Sequence, residues 1–555
     1  MTVQEICSFS AGKWIGCDDE ARQIFSAITG DLIARAGNST LDTDAMLDFA
    51  RTVGGPSLCA MTFHDRARLI KAIALVLTEK KQALYDISFS TGATQKDHLI
   101  DIDGGIGTLF AFASMGRREM PDDQIYLDGS VKRLSRNGTF LGQHVCTPLQ
   151  GVAVHINAFN FPVWGMLEKL APTLLAGVPA IVKPATATCH VTELCVRIII
   201  ESGILPKGAL QLVCGSIGDT ISRLTSQDVV SFTGSASTAI HLRSQPQLIE
   251  NSIRFIAEQD SLNASILGPD AAPGSPEFDL FAKEVKREMI TKAGQKCTAI
   301  RRIFVPQEHL NPMIEILKIQ LTSTSIGDPR LTETDMGALV SNMQKRDVLE
   351  KASLIGRQAE RVFGDPDNFD LIGTEVGNGA FVPPMLFYCP DPDTAENVHD
   401  TEVFGPVSTI MAYRNMDHAI ELANRGQGSL VASVITNDAE VARQAVLSAG
   451  AFHGRLYFNN RKSMQESTGH GSPMPQMLHG GPGRAGGGEE LGGILGVMHY
   501  MQRTAVQGSP DILTQISKKW VPGAGQTFKP DHPFTRTFGA LEIGETLETK
   551  SRKIL

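Results

Sequence analysis

The sequence lacks the features that mark disulfide-rich, zinc-binding and membrane-spanning proteins. Its nine cysteines are scattered over 555 residues, form no CxxC pair and are odd in number. We therefore expect no disulfide framework, no metal site and a reducing, cytoplasmic environment. No run approaches the ~18–20 uninterrupted apolar residues that a membrane span needs, and the N-terminus shows no basic and apolar regions of a signal peptide.

An excess of positive charge is missing as well. The formal net charge is −9 and the pI is near 5.9. A nucleic-acid partner requires a basic face, so this composition argues against one. With 42% hydrophobic and 20% charged residues the chain has an ordinary globular composition, and its length suggests about three or four domain-sized units.

Short apolar runs alternate with helical patterns from residue 150 to residue 234. This alternation predicts right-handed βαβ units in a parallel sheet, with a nucleotide site at the carboxyl ends of the strands. The predicted strands are 151–156, 178–183, 209–215 and 228–234, and the predicted helices between them are 162–176, closed by Gly177, and 190–201.

Other segments carry weaker patterns. Helical spacing of apolar residues predicts an amphipathic helix from Phe63 to about Leu84. Residues 125–150 alternate around an Asn-Gly pair, which predicts a hairpin. Further on, helices are predicted at 279–291 and 339–360, strands near 302–305 and 430–435, and a Pro/Gly-rich linker at 521–533.

Two side chains are candidates for covalent and acid–base chemistry. Cys297 in GQKCTA lies beside Lys296 and near a glycine, a setting in which Lys296 and backbone N–H groups would lower the pKa of the thiol. Glu258 in AEQDSLN follows an apolar stretch, and a half-buried position there would raise its pKa toward neutrality and suit activation of water. Taken alone, a buried inert cysteine and a solvated surface acid are the commoner alternatives.

Two further motifs suggest anion binding. Asn160 in NAFNFP follows the first strand of the α/β unit and could donate to an oxyanion, although taken alone a turn or N-cap asparagine before Pro162 is the favoured interpretation. SFTGS places Gly234 and Ser235 at a strand-to-helix turn, where a pyrophosphate could bind. GPGRAG at 481–486 matches GxGxxG but lacks a preceding strand, so we reject it as a dinucleotide motif.

Six motifs occur in a fixed order along the chain: NAFNFP, KPAT, SFTGS, AEQDSLN, GQKCTA and EVFGP. Together they resemble the aldehyde dehydrogenase superfamily over about residues 5–510. The resemblance implies an α/β fold with a Rossmann-like cofactor domain, an α/β catalytic domain and a β bridging segment for oligomerisation. The implied domains are a cofactor domain (1–124 and 151–262), an oligomerisation segment (125–150 and 497–510), a catalytic domain (263–496) and a tail (521–555) with a linker.

The resemblance also implies roles for individual residues. Cys297 would be the nucleophile, Asn160 and the Cys297 backbone N–H would hold the oxyanion, Glu258 would activate the deacylating water, and His479 in MLHGG would contact the substrate or tune Cys297. The implied cofactor-binding residues are Ile156, Asn157, Lys183, Ala185, Thr186, Gly215, Gly218, Thr233, Gly234, Ser235, Glu402 and Phe404.

Thr186 departs from the pattern of many NAD-using relatives, which carry a glutamate there. A carboxylate would repel a 2′-phosphate, whereas threonine leaves room and can donate a hydrogen bond, and Lys183 supplies a positive charge nearby. We therefore expect NADP as the preferred cofactor, with NAD possible.

The resemblance is most specific to the dehydrogenase half of the PaaZ group of bifunctional phenylacetate-degradation proteins. The segments that carry it are 101–116, 155–188, 469–493 and 499–510. This implies 3-oxo-5,6-dehydrosuberyl-CoA semialdehyde as substrate. The alternative is a stand-alone 3,4-dehydroadipyl-CoA semialdehyde dehydrogenase of benzoyl-CoA oxidation. The tail resembles the first strand of a hotdog hydratase domain, and we expect no hydratase activity from these 555 residues.

Two competing interpretations remain. A CoA-acylating aldehyde dehydrogenase generally lacks the glutamate equivalent to Glu258, so its presence favours hydrolysis. A catalytically silent family member would not be expected to retain Cys297, Asn160, Glu258 and Glu402 together. The resemblance further implies a homodimer or a multiple of dimers, and the expected partner is a small CoA-linked aldehyde.

Overall fold

The computed structural model describes residues 3–375 and 377–525. The tail that resembles a hydratase strand, and all of the predicted linker beyond residue 525, lie outside the described residues. The strands, in chain order, are β1 (Gln4–Ile6), β2 (Ser8–Ser10), β3 (Lys13–Ile15), β4 (Arg22–Phe25), β5 (Leu32–Ala36), β6 (Tyr126–Arg133), β7 (Leu141–Pro148), β8 (Ala153–Ile156), β9 (Ala180–Lys183), β10 (Leu210–Leu212), β11 (Val229–Thr233), β12 (Arg254–Glu258), β13 (Ala264–Leu267), β14 (Arg302–Pro306), β15 (Glu360–Phe363), β16 (Met385–Cys389), β17 (Val407–Tyr413), β18 (Ser429–Ile435), β19 (His453–Asn459), β20 (Leu478–Gly480), β21 (Glu489–Leu491) and β22 (Met501–Gly508).

The helices connect these strands and cover the sheets. In chain order they are α1 (Thr43–Phe49), α2 (Gly55–Cys59), α3 (Phe63–Ser88), α4 (Gln95–His98), α5 (Gly104–Arg118), α6 (Trp164–Ala176), α7 (Cys189–Glu201), α8 (Ala236–Arg243), α9 (Pro246–Glu250), α10 (Pro276–Ile290), α11 (Leu310–Thr322), α12 (Asn342–Ile355), α13 (Asn397–Asp400), α14 (Met416–Asn424), α15 (Ala439–Ala449), α16 (Ile494–Met498) and α17 (Pro510–Ser517). Short π turns join α1 to α2 (Ala50–Gly54) and α4 to α5 (Leu99–Asp103).

The first large sheet has the order β12-β11-β8-β9-β10-β2-β3. Strands β8 to β12 pair in parallel, whereas β2 pairs antiparallel with β10 and β3 antiparallel with β2. All four residues of β8 are buried, as a parallel sheet covered on both faces requires. The strands and helices predicted between residues 150 and 234 are confirmed, and Gly177 ends α6 with φ +95°.

The second large sheet has the order β15-β16-β17-β14-β13-β18-β19. Its strands are parallel except β15, which pairs antiparallel with β16 at the edge. Helix α10 and strands β14 and β18 occur where the sequence predicts a helix and strands. The two large sheets confirm the predicted α/β class.

Three small sheets complete the described fold. The predicted hairpin is present as β6 and β7, and β22 pairs with β7 to make the antiparallel sheet β22-β7-β6. The glycine-rich stretch is also ordered, since β20 and β21 pair across it. The rejected GPGRAG motif lies in the turn between these two strands, outside any βαβ unit.

One helical run, Gln95–Arg118, is long and apolar enough to pass as a membrane span by composition, with a mean hydropathy of 1.2. Of its most apolar window 56% is buried inside the protein, where α5 packs against α3 and α6. A core helix of a folded domain satisfies the same criteria, so the run is weak evidence for a membrane.

Candidate active site

Three side chains from distant parts of the chain lie close together at one site. Glu258 is the last residue of β12, Cys297 follows the turn after α10, and His479 lies on β20. His479 Nε2 lies 2.9 Å from Glu258 Oε2 and 3.9 Å from Cys297 Sγ. The imidazole therefore stands between the predicted nucleophile and the predicted base.

Glu258 differs electrostatically from what the sequence predicts. Burial alone would raise the pKa of this carboxyl, but the positive charges of His479 and Lys169 outweigh burial and lower the pKa to about 2. The prediction of a pKa raised toward neutrality was wrong, because the sequence gives no sign that His479 lies beside Glu258. While this contact lasts, Glu258 is an ionised and weak base.

Cys297 also departs from the prediction. Burial and the nearby Glu258 carboxylate raise the pKa of the thiol well above its ordinary value. Lys296, which we expected to lower the pKa, pairs with the buried Glu288 at 2.7 Å, and its lowering effect on the thiol pKa is outweighed. Lys296 acts in the expected direction, but burial and Glu258 outweigh it, so the expectation of a lowered thiol pKa was wrong.

His479 supplies a positive charge close to the Cys297 sulfur. Burial lowers the pKa of the imidazole, but the carboxylates of Glu258, Glu168 and Glu490 more than offset burial and leave the pKa raised. A protonated imidazole 3.9 Å from the sulfur is well placed to favour a thiolate. Since the Cys297, His479 and Glu258 atoms lie within 4.8 Å of one another, their spacing would also suit a metal ion.

The loop that carries Cys297 is fixed by polar contacts to its backbone. Asn263 Nδ2 donates to the Cys297 carbonyl at 2.7 Å, and Thr298 Oγ1 donates to the Gly471 carbonyl at 3.0 Å. The buried Arg301 guanidinium donates to the carbonyls of Gly294 and Gly405 at 2.9 and 2.7 Å. These contacts fix the position of the Cys297 backbone, as a covalent nucleophile would require.

Asn160 and Cys297 line the same cavity, which has a volume of about 50 Å³. Asn160 is buried in the loop between β8 and α6. The remaining wall is largely apolar and includes Ile100, Phe161 and Trp164. The structure therefore brings together Cys297, Glu258, Asn160 and His479, all four of the predicted catalytic residues.

A network of buried charged side chains borders the cavity, and the sequence analysis did not predict this network. Lys169 Nζ on α6 donates to Glu490 Oε2 at 2.9 Å and to Thr233 Oγ1 at 2.6 Å. Glu168 lines the cavity, and burial raises the pKa of its carboxyl to about 7. The signal available in the sequence was a Glu-Lys pair inside an otherwise apolar helix.

The predicted cofactor residues lie along the carboxyl edge of the first sheet. Ile156 and Lys183 end β8 and β9, Ala185 and Thr186 follow β9, and Thr233 ends β11. Gly234 and Ser235 form the turn into α8, whose N-cap is Ser235. Gly215 and Gly218 follow β10, and Gly215 packs against Gly37, because a Cβ on Gly215 would lie 2.7 Å from the Gly37 Cα.

Buried polar atoms of Asn157, just after β8, and of Glu402, just before β17, have the chemistry to bind a dinucleotide. Among the described residues, neither amide atom of Asn157 has a hydrogen-bond partner, and neither does Glu402 Oε1. Burial raises the pKa of Glu402 to about 7. Phe404 packs edge-on against Phe159 at 5.7 Å and lies beneath Arg301. Ribose hydroxyls and a nicotinamide would satisfy such a set of groups.

A parallel sheet with predicted cofactor residues at its carboxyl edge, beside a site that contains a half-buried cysteine and a buried glutamate and asparagine, is typical of a dehydrogenase. Residues 14–506 match the aldehyde dehydrogenase family, so the chain belongs to that family.

Among relatives, the chain is 42% identical over 479 residues to the 3,4-dehydroadipyl-CoA semialdehyde dehydrogenase of Aromatoleum evansii, covering 86% of this chain and 93% of that protein. It is 48% identical to Protein MaoC of Klebsiella aerogenes over 220 residues, which is 40% of this chain and 64% of that protein. The betaine aldehyde dehydrogenase of Staphylococcus aureus, solved in complex with NAD+, shares the fold with a TM-score of 0.79 at 23% identity, covering 91% of this chain and 95% of that chain.

Proposed function

We propose that this protein oxidises a CoA-linked semialdehyde to the carboxylate through a thioester on Cys297. The observation that carries the proposal is the joint placement of Cys297, Glu258 and Asn160 around one cavity beside a dinucleotide-type sheet edge. The family membership and the semialdehyde dehydrogenase relative at 42% identity support it.

The chemistry follows from the positions of the side chains. The Cys297 thiol first loses its proton to solvent, and the protonated imidazole of His479 at 3.9 Å stabilises the thiolate. The thiolate sulfur then adds to the aldehyde carbon. The Asn160 amide and the Cys297 backbone N–H hold the oxyanion that forms. The nicotinamide, when bound, supplies the acceptor for the aldehyde hydride.

Hydrolysis then releases the acid. Glu258 takes a proton from water as the water oxygen attacks the thioester carbon, the carbon–sulfur bond breaks, and Cys297 recovers its proton. Because the contact with His479 holds the pKa of Glu258 near 2, Glu258 becomes an effective base only when that contact lengthens.

The substrate proposal favours the alternative that the sequence left open. A relative 42% identical over most of its length is a 3,4-dehydroadipyl-CoA semialdehyde dehydrogenase, so we rank that substrate first. The 3-oxo-5,6-dehydrosuberyl-CoA semialdehyde of phenylacetate degradation ranks second. Both are CoA-linked semialdehydes, and the apolar walls at Phe161 and Trp164 suit the carbon chain that carries the aldehyde.

NADP is the proposed cofactor. Thr186 stands at the position where a carboxylate would repel a 2′-phosphate, and Lys183 lies three residues before it at the end of β9. We further propose a cytoplasmic homodimer or multiple of dimers, with cofactor, catalytic and bridging segments divided as the family resemblance implies.

The decisive experiment follows absorbance at 340 nm with a CoA-linked semialdehyde and its CoA-free counterpart, for wild type and Cys297→Ala. NADP-dependent turnover of the CoA-linked form, abolished by the substitution, is the expected result. Turnover of only the free aldehyde would remove the protein from CoA-linked catabolism. No turnover of either would favour a catalytically silent family member, and a need for free CoA would favour the acylating class.

A further inference from the structure

Arg22 lies on an edge strand beside the cofactor edge of the first sheet. It begins β4, which pairs antiparallel with β5 in the sheet β1-β5-β4. Side chains alternate along a strand, so Arg22 shares a face with Ile24, which is 2% exposed and belongs to the core around the cofactor unit. Gln23 and its cross-strand partner Arg35 lie on the opposite face.

The neighbours of Arg22 are predicted cofactor-binding residues. Strand β4 runs beside the short helix Thr186–Thr188, which includes the threonine in the usual glutamate position. Its backbone also reaches Gly215 through Gly37, because a Cβ on Gly37 would lie 3.9 Å from the Arg22 nitrogen and 4.0 Å from the Gly215 Cα. The start of β4, which carries the exposed Arg22, therefore lies beside the residues predicted to bind the adenosine ribose.

Charge is unbalanced at this rim. Burial is the main reason why the pKa of Lys183 is lowered, and the positive charge of Arg22 lowers it further, so the two cations are close. No carboxylate is among the groups that shift Lys183. Within residues 3–375 and 377–525, neither Arg22 nor Lys183 forms an ion pair, although many other surface cations do.

We propose that Arg22 and Lys183 together bind the 2′-phosphate of the adenine dinucleotide, with Arg22 as a specificity residue contributed by the N-terminal sheet. This inference rests on the proposed use of NADP. Two neighbouring cations without a carboxylate repel each other until a phosphate dianion binds between them, and the planar guanidinium can donate two hydrogen bonds to it. A ribose 2′-hydroxyl offers no such charge.

The test measures dissociation constants by quenching of nucleotide fluorescence for NADPH and NADH, and by competition for 2′,5′-ADP and ADP. The variant Arg22→Gln removes the positive charge. The variant Arg22→Lys keeps the charge but lacks the planar guanidinium that can donate two hydrogen bonds to one phosphate. The matched control is Arg35→Gln, which removes the same charge from the opposite face of the same sheet. Thermal unfolding of each variant confirms that the fold persists.

The expected result is that Arg22→Gln weakens NADPH and 2′,5′-ADP by about tenfold or more, the loss of a charge-assisted hydrogen bond. NADH and ADP should bind unchanged, Arg22→Lys should recover part of the loss, and Arg35→Gln should behave as wild type. If wild type prefers NADPH but Arg22→Gln weakens both cofactors equally or neither, the role of Arg22 is overturned while NADP use stands. If wild type binds NADH at least as tightly as NADPH, both proposals fail.

Discussion

At the scale of single residues, the charges of Cys297, His479 and Glu258 depend on one another. The imidazole lies 2.9 Å from the Glu258 carboxylate and 3.9 Å from the Cys297 sulfur; Glu258 and His479 are buried and Cys297 is half-buried. Removing any one changes the charge that the other two experience. Substitutions that preserve size are therefore the informative ones.

Glu258→Gln should separate acylation from hydrolysis. The amide cannot take a proton from water, so the thioester on Cys297 should accumulate while the hydride step still occurs. Rapid-mixing kinetics should show a burst of reduced cofactor close to one per active site, followed by a steady rate at least about 100-fold below wild type. A variant with full steady turnover would show that another group activates the water.

His479→Gln should slow alkylation of Cys297 by iodoacetamide at neutral pH. The pKa of His479 is raised, so its charged form is favoured and stabilises the thiolate. This advantage is present below the raised pKa and disappears as pH rises through it, so the rates of wild type and variant should converge in alkaline solution. The pH profile of alkylation measures this directly.

The control is His499→Gln, because burial lowers the pKa of His499 and leaves it neutral at pH 7. That variant should keep the wild-type profile. Equal alkylation rates for wild type and His479→Gln at every pH would contradict the role of the imidazole.

The sequence named the candidate catalytic residues that the fold brings together, but it did not reveal their electrostatics. Cys297 and Asn160 were ambiguous one by one, and it was the order of the motifs along the chain that marked them as candidates. His479 is 182 residues from Cys297 in the chain, and the pKa of Glu258 depends on that distant imidazole and on Lys169. Local sequence carries no information about such contacts, so both predicted pKa directions were wrong.

At the scale of elements, helix α6 is capped by a side chain from another helix. Asp101 Oδ1, in the π turn between α4 and α5, accepts from the backbone N–H of Val163 at 3.0 Å and of Trp164 at 2.8 Å. This contact fixes the start of α6 directly after the loop that carries Asn160. Burial raises the pKa of Asp101 to about 6.

Asp101→Ala should destabilise the protein by about 1–3 kcal/mol, since it leaves two buried N–H groups without an acceptor. Asp101→Asn keeps the acceptor and should be tolerated. Because the pKa of Asp101 is higher in the folded than in the unfolded protein, protonation of Asp101 stabilises the fold. This stabilisation is full below about pH 4 and is lost as the pH rises through about 6. Denaturant unfolding between pH 4 and pH 8 should show this loss in wild type.

In Asp101→Asn the pH-dependent loss of stability should be absent, because the amide does not titrate. This variant is therefore the control for Asp101→Ala. A loss of stability in Asp101→Asn as large as that in Asp101→Ala would contradict the capping role.

Helices and strands with a regular apolar pattern could be predicted from the sequence. A turn whose shape depends on close packing against a distant backbone could not. Buried parallel strands such as β8 are continuous apolar runs, and Gly177 marks the end of α6 because it adopts a positive φ. The glycine-rich turn has no such pattern. There, Gly486 is needed because a Cβ would lie 2.3 Å from the Ala257 carbonyl, next to Glu258.

At the scale of the whole molecule, the sheet β22-β7-β6 has a polar and exposed surface. Four consecutive residues of β22, Gln502 to Ala505, are exposed, and β22 is an edge of the sheet. An uncovered edge strand with free backbone groups invites pairing with another chain. This surface is the structural basis for the proposed dimer or multiple of dimers.

Ala505→Arg should dissociate the assembly while leaving the subunit folded. Ala505 is exposed on β22, so an arginine there should change the stability of an isolated subunit by no more than about 0.5 kcal/mol. In a packed interface the same side chain would have to bury its charge without a partner. Sedimentation velocity should show an even-numbered oligomer for wild type and a smaller species for the variant. The matched control is Ala83→Arg, an exposed alanine on α3, which should sediment as wild type. A wild-type monomer, or an Ala505→Arg oligomer of unchanged size, would show that this sheet edge does not join the subunits.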